Sequence, residues 1–187
     1  MSTPSSALSR CSAVVVGHAG ESRSLIDIAH RLCFGSVQEL NEQPDIRRPE
    51  FQVTYFLVNQ KLSDQTKSQL VRRLRRSPST KIRCAPIVAI GTDVDFEVVL
   101  DHIGMGFDDF ISLPERLDLV KDRLINQLDQ THIYIETATY FGPDRRRMEA
   151  PDFTNEQRRS IPHSHTRMEI RRRPDTGVEI LRRQIFA

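Results

Sequence analysis

Every cation after Ile135 is an arginine, and most stand in clusters: Arg145, Arg146 and Arg147; Arg158 and Arg159; Arg171, Arg172 and Arg173; Arg182 and Arg183. A guanidinium is a planar fork of donors that meets carboxylate or phosphate at two points, whereas lysine offers a point charge. From Glu136 to Ala187 there are 11 arginines against 8 acids, but Met1 to Ile135 holds 16 cations against 17 acids. The net charge of +2 is therefore concentrated in the tail. An anionic partner suits such a tail, although the surplus is too mild to demand nucleic acid. The plain reading beside it is a solvated segment.

The other residues that could do chemistry each have a plainer role. Asp108 and Asp109 could be a metal pair, but adjacent acids before a short strand point to opposite faces. Asp64 directly follows Ser63 and belongs to a helix cap. His163 and His165 lack further histidine or cysteine nearby, so no zinc site is expected. Cys11, Cys33 and Cys84 are odd in number and far apart, which excludes a disulfide framework and fits a reducing cytosol; Cys33 and Cys84 read as core filler. Gly17 and Gly20 are not followed by the Gly-Lys-Ser/Thr of a phosphate loop. No Ser-His-Asp or Cys-His context for a nucleophile stands out.

Alternating strands and helices position these residues. Ala13–Val16 is a short β-branched run ending at Gly17, and a helix follows from Glu21 or Ser22 to Phe34. Phe51–Val58 is a second apolar strand, followed by a Ser63-capped helix to about Arg76. Pro86–Ile90 is a third, with a helix capped by Thr92 or Asp93 and stopped at Gly104. Phe110–Ser112 and a helix bearing Leu117, Val120, Leu124 and Leu128 complete the pattern. Val37–Leu40 reads as either a strand or a helical turn. This alternation predicts a doubly wound, five-stranded parallel sheet, buried at Val14–Val16, Val53–Val58 and Ile87–Ile90. Ile133–Phe141 has a period of two, predicting an extended segment against an edge or groove. Apolar residues then become sparse, so 142–176 reads as flexible, with the final VEILRRQIFA docking on a partner. The division is a flexible 1–11, a domain over 12–131, and a largely flexible tail over 132–187.

Over about Ser12 to Leu128, LVRRLR (Leu70–Arg75), PIVAIGT (Pro86–Thr92) and GMGFDDFISLP (Gly104–Pro114) resemble the receiver domain of bacterial response regulators, a flavodoxin-like fold. YFGPDRRR (Tyr140–Arg147) resembles an arginine-rich extension of bacterial receiver-only proteins. A receiver holds Mg²⁺ with two acids after the first strand and accepts phosphoryl on an Asp ending the third. A hydroxyl ending the fourth strand and a Lys before the last Pro bind the phosphoryl oxygens. The resemblance places these roles at Gly17 and His18, at Asn59, at Gly91 with Thr92 adjacent, and at Leu113. Every position departs from the pattern. An amide is no nucleophile for this reaction, glycine offers no ligand, and imidazole matches Mg²⁺ poorly.

The resemblance therefore implies a degenerate receiver: not an enzyme, without cofactor or metal, acting on a protein partner, with a signalling protein the natural choice and a homodimer left open. Arg145, Arg146, Arg147, Arg171, Arg172 and Arg173 are the expected partner-binding residues. The alternative is a regulator whose tail binds nucleic acid or a cyclic dinucleotide. Arg172 with Asp175 and Arg167 with Arg171 match Arg-x-x-Asp and Arg-x-x-x-Arg spacings seen in cyclic-dinucleotide receptors. No membrane span of about 20 apolar residues is present. Met1–Ser12 lacks a basic start and a long apolar run, so the expected location is the cytoplasm.

Overall fold

The computed structural model describes residues 7–18, 20, 22–40, 51–92, 95–144 and 164–186. Strands β1 (Ser12–Val16), β2 (Ser36–Glu39), β3 (Thr54–Asn59), β4 (Ile87–Thr92) and β5 (Asp109–Leu113) form a parallel sheet ordered β2-β1-β3-β4-β5. That is the flavodoxin-like order of a doubly wound α/β fold. The segment 37–40, open between strand and helical turn, pairs as a strand with β1 from Ser12↔Ser36 to Val15↔Glu39.

The three inner strands are apolar on both faces because helices cover both. Ala13, Val15, Tyr55, Leu57, Val88 and Ile90 share one core with α1 (Arg23–Arg31) and α5 (Leu117–Ile125). Their neighbours Val14, Val16, Phe56, Val58, Ile87 and Ala89 share the other with α2 (Asp64–Arg75). Ser63 caps α2, its hydroxyl accepting from the Thr66 amide at 3.2 Å. A short helix, α3 (Thr80–Arg83), precedes β4. The next helix, α4 (Phe96–Met105), runs past the expected stop at Gly104 and ends at Gly106. Gly106 has φ +108°, and a Cβ there would lie 3.2 Å from Val71 Cγ1, so both conformation and space favour glycine.

The flexible-tail expectation needs correction. β6 (Thr131–Glu136), β7 (Phe141–Pro143), β8 (His165–Arg173) and β9 (Gly177–Phe186) form a second, antiparallel sheet ordered β7-β6-β8-β9. The alternating segment is thus ordered as expected, but 164–186 is a hairpin built on it; residues 145–163 lie outside the described residues. Gly177, at φ +89°, closes the three-residue loop Pro174–Thr176. The N-terminal expectation also fails in part: Leu8 and Cys11 are fully buried in the core beside β1, and Arg10 pairs with Asp175 at the hairpin tip at 2.6 Å. Among the described residues, no helix is long and apolar enough to cross a membrane.

Candidate functional site

In an open α/β sheet, ligands sit beyond the carboxyl ends of the strands, where the order reverses; here that is between β1 and β3. Gly17 follows β1 and Asn59 ends β3, close enough that a Cβ on Gly17 would lie 3.5 Å from that of Asn59. Gly91 and Thr92 end β4 beside Ser112 and Leu113 of β5. The chain thus brings Gly17, Asn59, Gly91, Thr92 and Leu113 to one edge, with exposed His18 following Gly17.

The turn after β3 fills this edge with its own contacts. Asn59 Oδ1 accepts from the Lys61 amide at 2.9 Å, the self-bonded turn that Asn favours. Gln60 lies across Gly91: a Cβ on Gly91 would be 2.0 Å from Gln60 Oε1 and 2.6 Å from its Cβ. The Gln60 amide also donates to the Ile90 carbonyl at 2.9 Å. Beneath the turn, buried Lys67 donates from Nζ to the Gln60 carbonyl at 3.2 Å and contacts His102 Nε2 at 2.9 Å and Asp64 Oδ1 at 2.9 Å. His102 Nδ1 sits 2.7 Å from the Val98 carbonyl. That contact assigns the Nδ1 proton to the backbone bond and leaves Nε2 to accept from the ammonium. Burial is the main cause holding His102 below its ordinary pKa; the Val98 bond opposes it and the neighbouring Lys67 reinforces it. Asp64 is lowered by its bond to Lys67.

The opposite end of the sheet contains a buried charge cluster. Asp108, immediately before β5, is fully buried. Its Oδ1 accepts from Arg172 Nη2 and from the Tyr134 hydroxyl, both at 2.6 Å. Its Oδ2 accepts from Arg75 Nη2 at 2.6 Å and the Ile87 amide at 2.8 Å. The two guanidiniums find further acceptors at chain and helix ends. Arg75 donates to the Ala85 and Gly106 carbonyls at 2.9 and 3.0 Å. Arg172 donates to the Cys84 carbonyl at 2.8 Å and to Gln127 Oε1 at 3.0 Å. Carbonyls at the carboxyl ends of helices carry partial negative charge, which suits this cationic cluster. Burial alone would raise the Asp108 pKa, but Arg172, Arg75, Tyr134 and the Ile87 amide outweigh it and hold the carboxyl well below the usual carboxylate range. Burial drives the Tyr134 hydroxyl well above its ordinary value. Both Asp108 oxygens being satisfied is the condition under which such a buried cluster is tolerated.

Several sequence candidates are therefore reassigned. Arg172, expected to bind a partner, is wholly buried against Asp108, so it is unavailable to one. Arg173 pairs with Glu179 at 3.0 Å and Arg171 donates to the Thr131 hydroxyl at 3.3 Å; both remain partly exposed. Arg145, Arg146 and Arg147 lie outside the described residues. The spaced pairs are already occupied: Arg167 bonds Glu169, and Asp175 bonds Arg10. Asp108 and Asp109 do diverge, Asp109 pairing with Arg123 at 2.6 Å. Cys33 is exposed at φ +61°, contrary to the expected core role, whereas Cys84 and Cys11 are buried, and burial pushes the Cys11 thiol up to about 12. Among the described residues no cluster of His, Cys, Asp and Glu could hold a metal ion.

No family model matches the sequence, and no curated protein does. Solved structures similar to it include a response regulator from Thermotoga maritima, 18% identical, with a TM-score of 0.46 over 62% of this chain and 94% of that one. Full-length FixJ from B. japonicum is 15% identical, with a TM-score of 0.47 over 62% of this chain and 56% of its own. The signal receiver domain of a histidine kinase from Syntrophus aciditrophicus is 18% identical, with a TM-score of 0.44 over 64% and 92%. The fold assignment stands on strand order and register.

Proposed function

We propose that this chain is a phosphorylation-independent signalling adaptor of the two-component type, acting through contact with a protein partner and not by catalysis. The observation that supports this most directly is the occupied carboxyl edge, where Gln60 lies over Gly91 and Asn59 spends its amide oxygen inside its own turn. Phosphoryl transfer needs charge supplied at defined points, by metal-binding carboxylates, a nucleophilic carboxylate and a cation. Gly17, Asn59 and Leu113 provide none of these. Arg145, Arg146 and Arg147 follow Asp144 in sequence, and the Asp144 amide donates to the Ile133 carbonyl at 2.9 Å. In this reading, those three arginines and the half-exposed Arg171 and Arg173 meet an acidic surface on the partner.

Incubation with acetyl phosphate and Mg²⁺, followed by intact-mass measurement, is expected to show no stoichiometric phosphoryl adduct. An acid-labile adduct on residues 12–131 would overturn the reading. Asn59→Asp is expected to stay unmodified as well, because the ligands for Mg²⁺ and the phosphoryl-binding cation are still missing.

A further inference from the structure

The Lys67 ammonium has three N–H donors and meets three acceptors: the Gln60 carbonyl at 3.2 Å, His102 Nε2 at 2.9 Å and Asp64 Oδ1 at 2.9 Å. Gln60 belongs to the turn that lies over Gly91, His102 to α4, and Asp64 to the start of α2. Lys67 and His102 are buried, whereas the Asp64 side chain is 76% exposed. One ammonium thus ties the cover of the carboxyl edge to α4.

That tie depends on one lone pair. His102 Nδ1 is committed to the Val98 carbonyl, so the ring accepts from Lys67 only at Nε2 and only while it is neutral. A proton on Nε2 removes the acceptor and sets two cations 2.9 Å apart out of water, a juxtaposition of like charges that burial makes costly. Phe107 and Phe110 stand edge-on to the ring, with centroids at 5.2 and 4.9 Å, and offer an imidazolium no acceptor. The charged groups that act on the ring are Lys67 and Asp64 from α2 and Asp101 from α4 itself; the two carboxylates favour the imidazolium and Lys67 opposes it. Of the two cations, the imidazole is fixed by its helix bond and by the phenylalanines. The lysine stem is flexible, and Asp64 gives its ammonium a partner on the solvent side.

We propose that Lys67 and His102 form an acid-released latch: protonation of His102 at Nε2 drives the Lys67 ammonium out toward Asp64, breaks its bond to Gln60 and frees the turn over Gly91. The sign follows from burial, which holds His102 below its ordinary value of about 6.5. The latch is therefore shut at neutral pH and opens as pH falls. This inference is independent of the phosphorylation reading, because an uncovered edge still has no carboxylate at Gly17, Asn59 or Leu113.

NMR titration of the full chain from about pH 8 to about pH 4 tests it, following the His102 ring nitrogens together with the Gln60 and Gly91 amides. All are expected to share one midpoint below about 6.5. Exchange protection of the Gln60 amide, corrected for the intrinsic pH dependence, is expected to fall at least about tenfold across that midpoint. The Ile87 amide, bonded to Asp108, is expected to stay still there. In Lys67→Met, which keeps the stem and removes the donors, the Gln60 and Gly91 amides are expected to take their low-pH positions already at neutral pH and to stop following His102. His102→Gln, whose side-chain oxygen accepts at any pH, is expected to keep Gln60 protected throughout. The wild-type titration stands alone should either variant misfold. A His102 ring that stays neutral over the whole range overturns the proposal. So do Gln60 and Gly91 amides that ignore the His102 midpoint, that share it with Ile87, or that still follow it in Lys67→Met.

Discussion

The two ends of the parallel sheet use polar residues in opposite ways. At the carboxyl end, where the fold ordinarily receives ligands, glycine, amide and leucine stand, and the polar atoms of the turn are turned inward on it. At the amino end, an acid and two guanidiniums are removed from water and bonded to one another and to helix-end carbonyls, with only Arg75 Nε of this cluster left without a hydrogen-bond partner among the described residues. The first arrangement supplies no charge to a phosphoryl group. The second connects the hairpin β8–β9 to the domain, because Arg172 of β8 reaches Asp108 and the Cys84 carbonyl across the boundary between the sheets. The difference teaches that in this chain the costly electrostatics serve assembly, while the carboxyl edge carries Gln60 over Gly91 and no carboxylate at Gly17, Asn59 or Leu113.

The largest expected effect comes from breaking the amino end. Asp108→Asn removes the charge that two buried cations share, and losing one partner of such a cluster costs about 3–5 kcal/mol. Urea denaturation should register that loss, and hydrogen exchange should show β8 and β9 losing protection before β3. A loss below about 1 kcal/mol would mean that the cluster behaves like a surface ion pair.

That cluster was hidden in the sequence for a definable reason. β8 alternates in register, with Met168, Ile170 and Arg172 inward, but one of the three inward residues is charged, so the strand reads as a polar run. Its counter-ion is 64 positions away, beyond any local pattern. A signal was available in Pro174–Gly177, a turn sequence between two segments of alternating character. The parallel sheet, by contrast, was legible because its inner strands are continuous apolar runs whose burial needs no distant partner. The carboxyl-edge positions were named by the resemblance to receiver domains, but the seat of Gln60 on Gly91 was not legible, since a missing Cβ does not name what fills its place. His102 and Lys67 were missed because a lone polar residue on a helix face carries no signature of its partner.

Titration should separate the two ends. Asp108 has a folded pKa depressed below its unfolded value of about 3.9, so its contribution is complete above about pH 5 and is lost as pH falls through the folded value. His102 is also lowered on folding, from about 6.5. The unfolded chain therefore takes up its proton first, and stability is lost as pH falls from about 6.5 toward the folded value. Urea midpoints measured from pH 3 to 8 should thus decline in two stages. His102→Gln should flatten the upper stage and Asp108→Asn the lower one; a single stage unaffected by His102→Gln would remove the Lys67–His102 contact from the account.

A smaller effect is expected at the carboxyl end. Gly91→Ala forces Gln60 out of its seat and should cost about 1–3 kcal/mol. Gln60→Ala frees that space, so the double variant should recover most of the loss, a coupling that a thermodynamic cycle reads directly. Additive losses would mean that Gln60 does not occupy the edge in solution.

The account's central claim is that the carboxyl edge does not take up a phosphoryl group. Its most direct test follows backbone amide shifts of the full chain on adding Mg²⁺ and then beryllofluoride, a tetrahedral phosphoryl mimic. The account predicts no saturable shifts at Gly17, Asn59, Gly91 or Leu113. Saturable shifts at those residues that require both additions would contradict it.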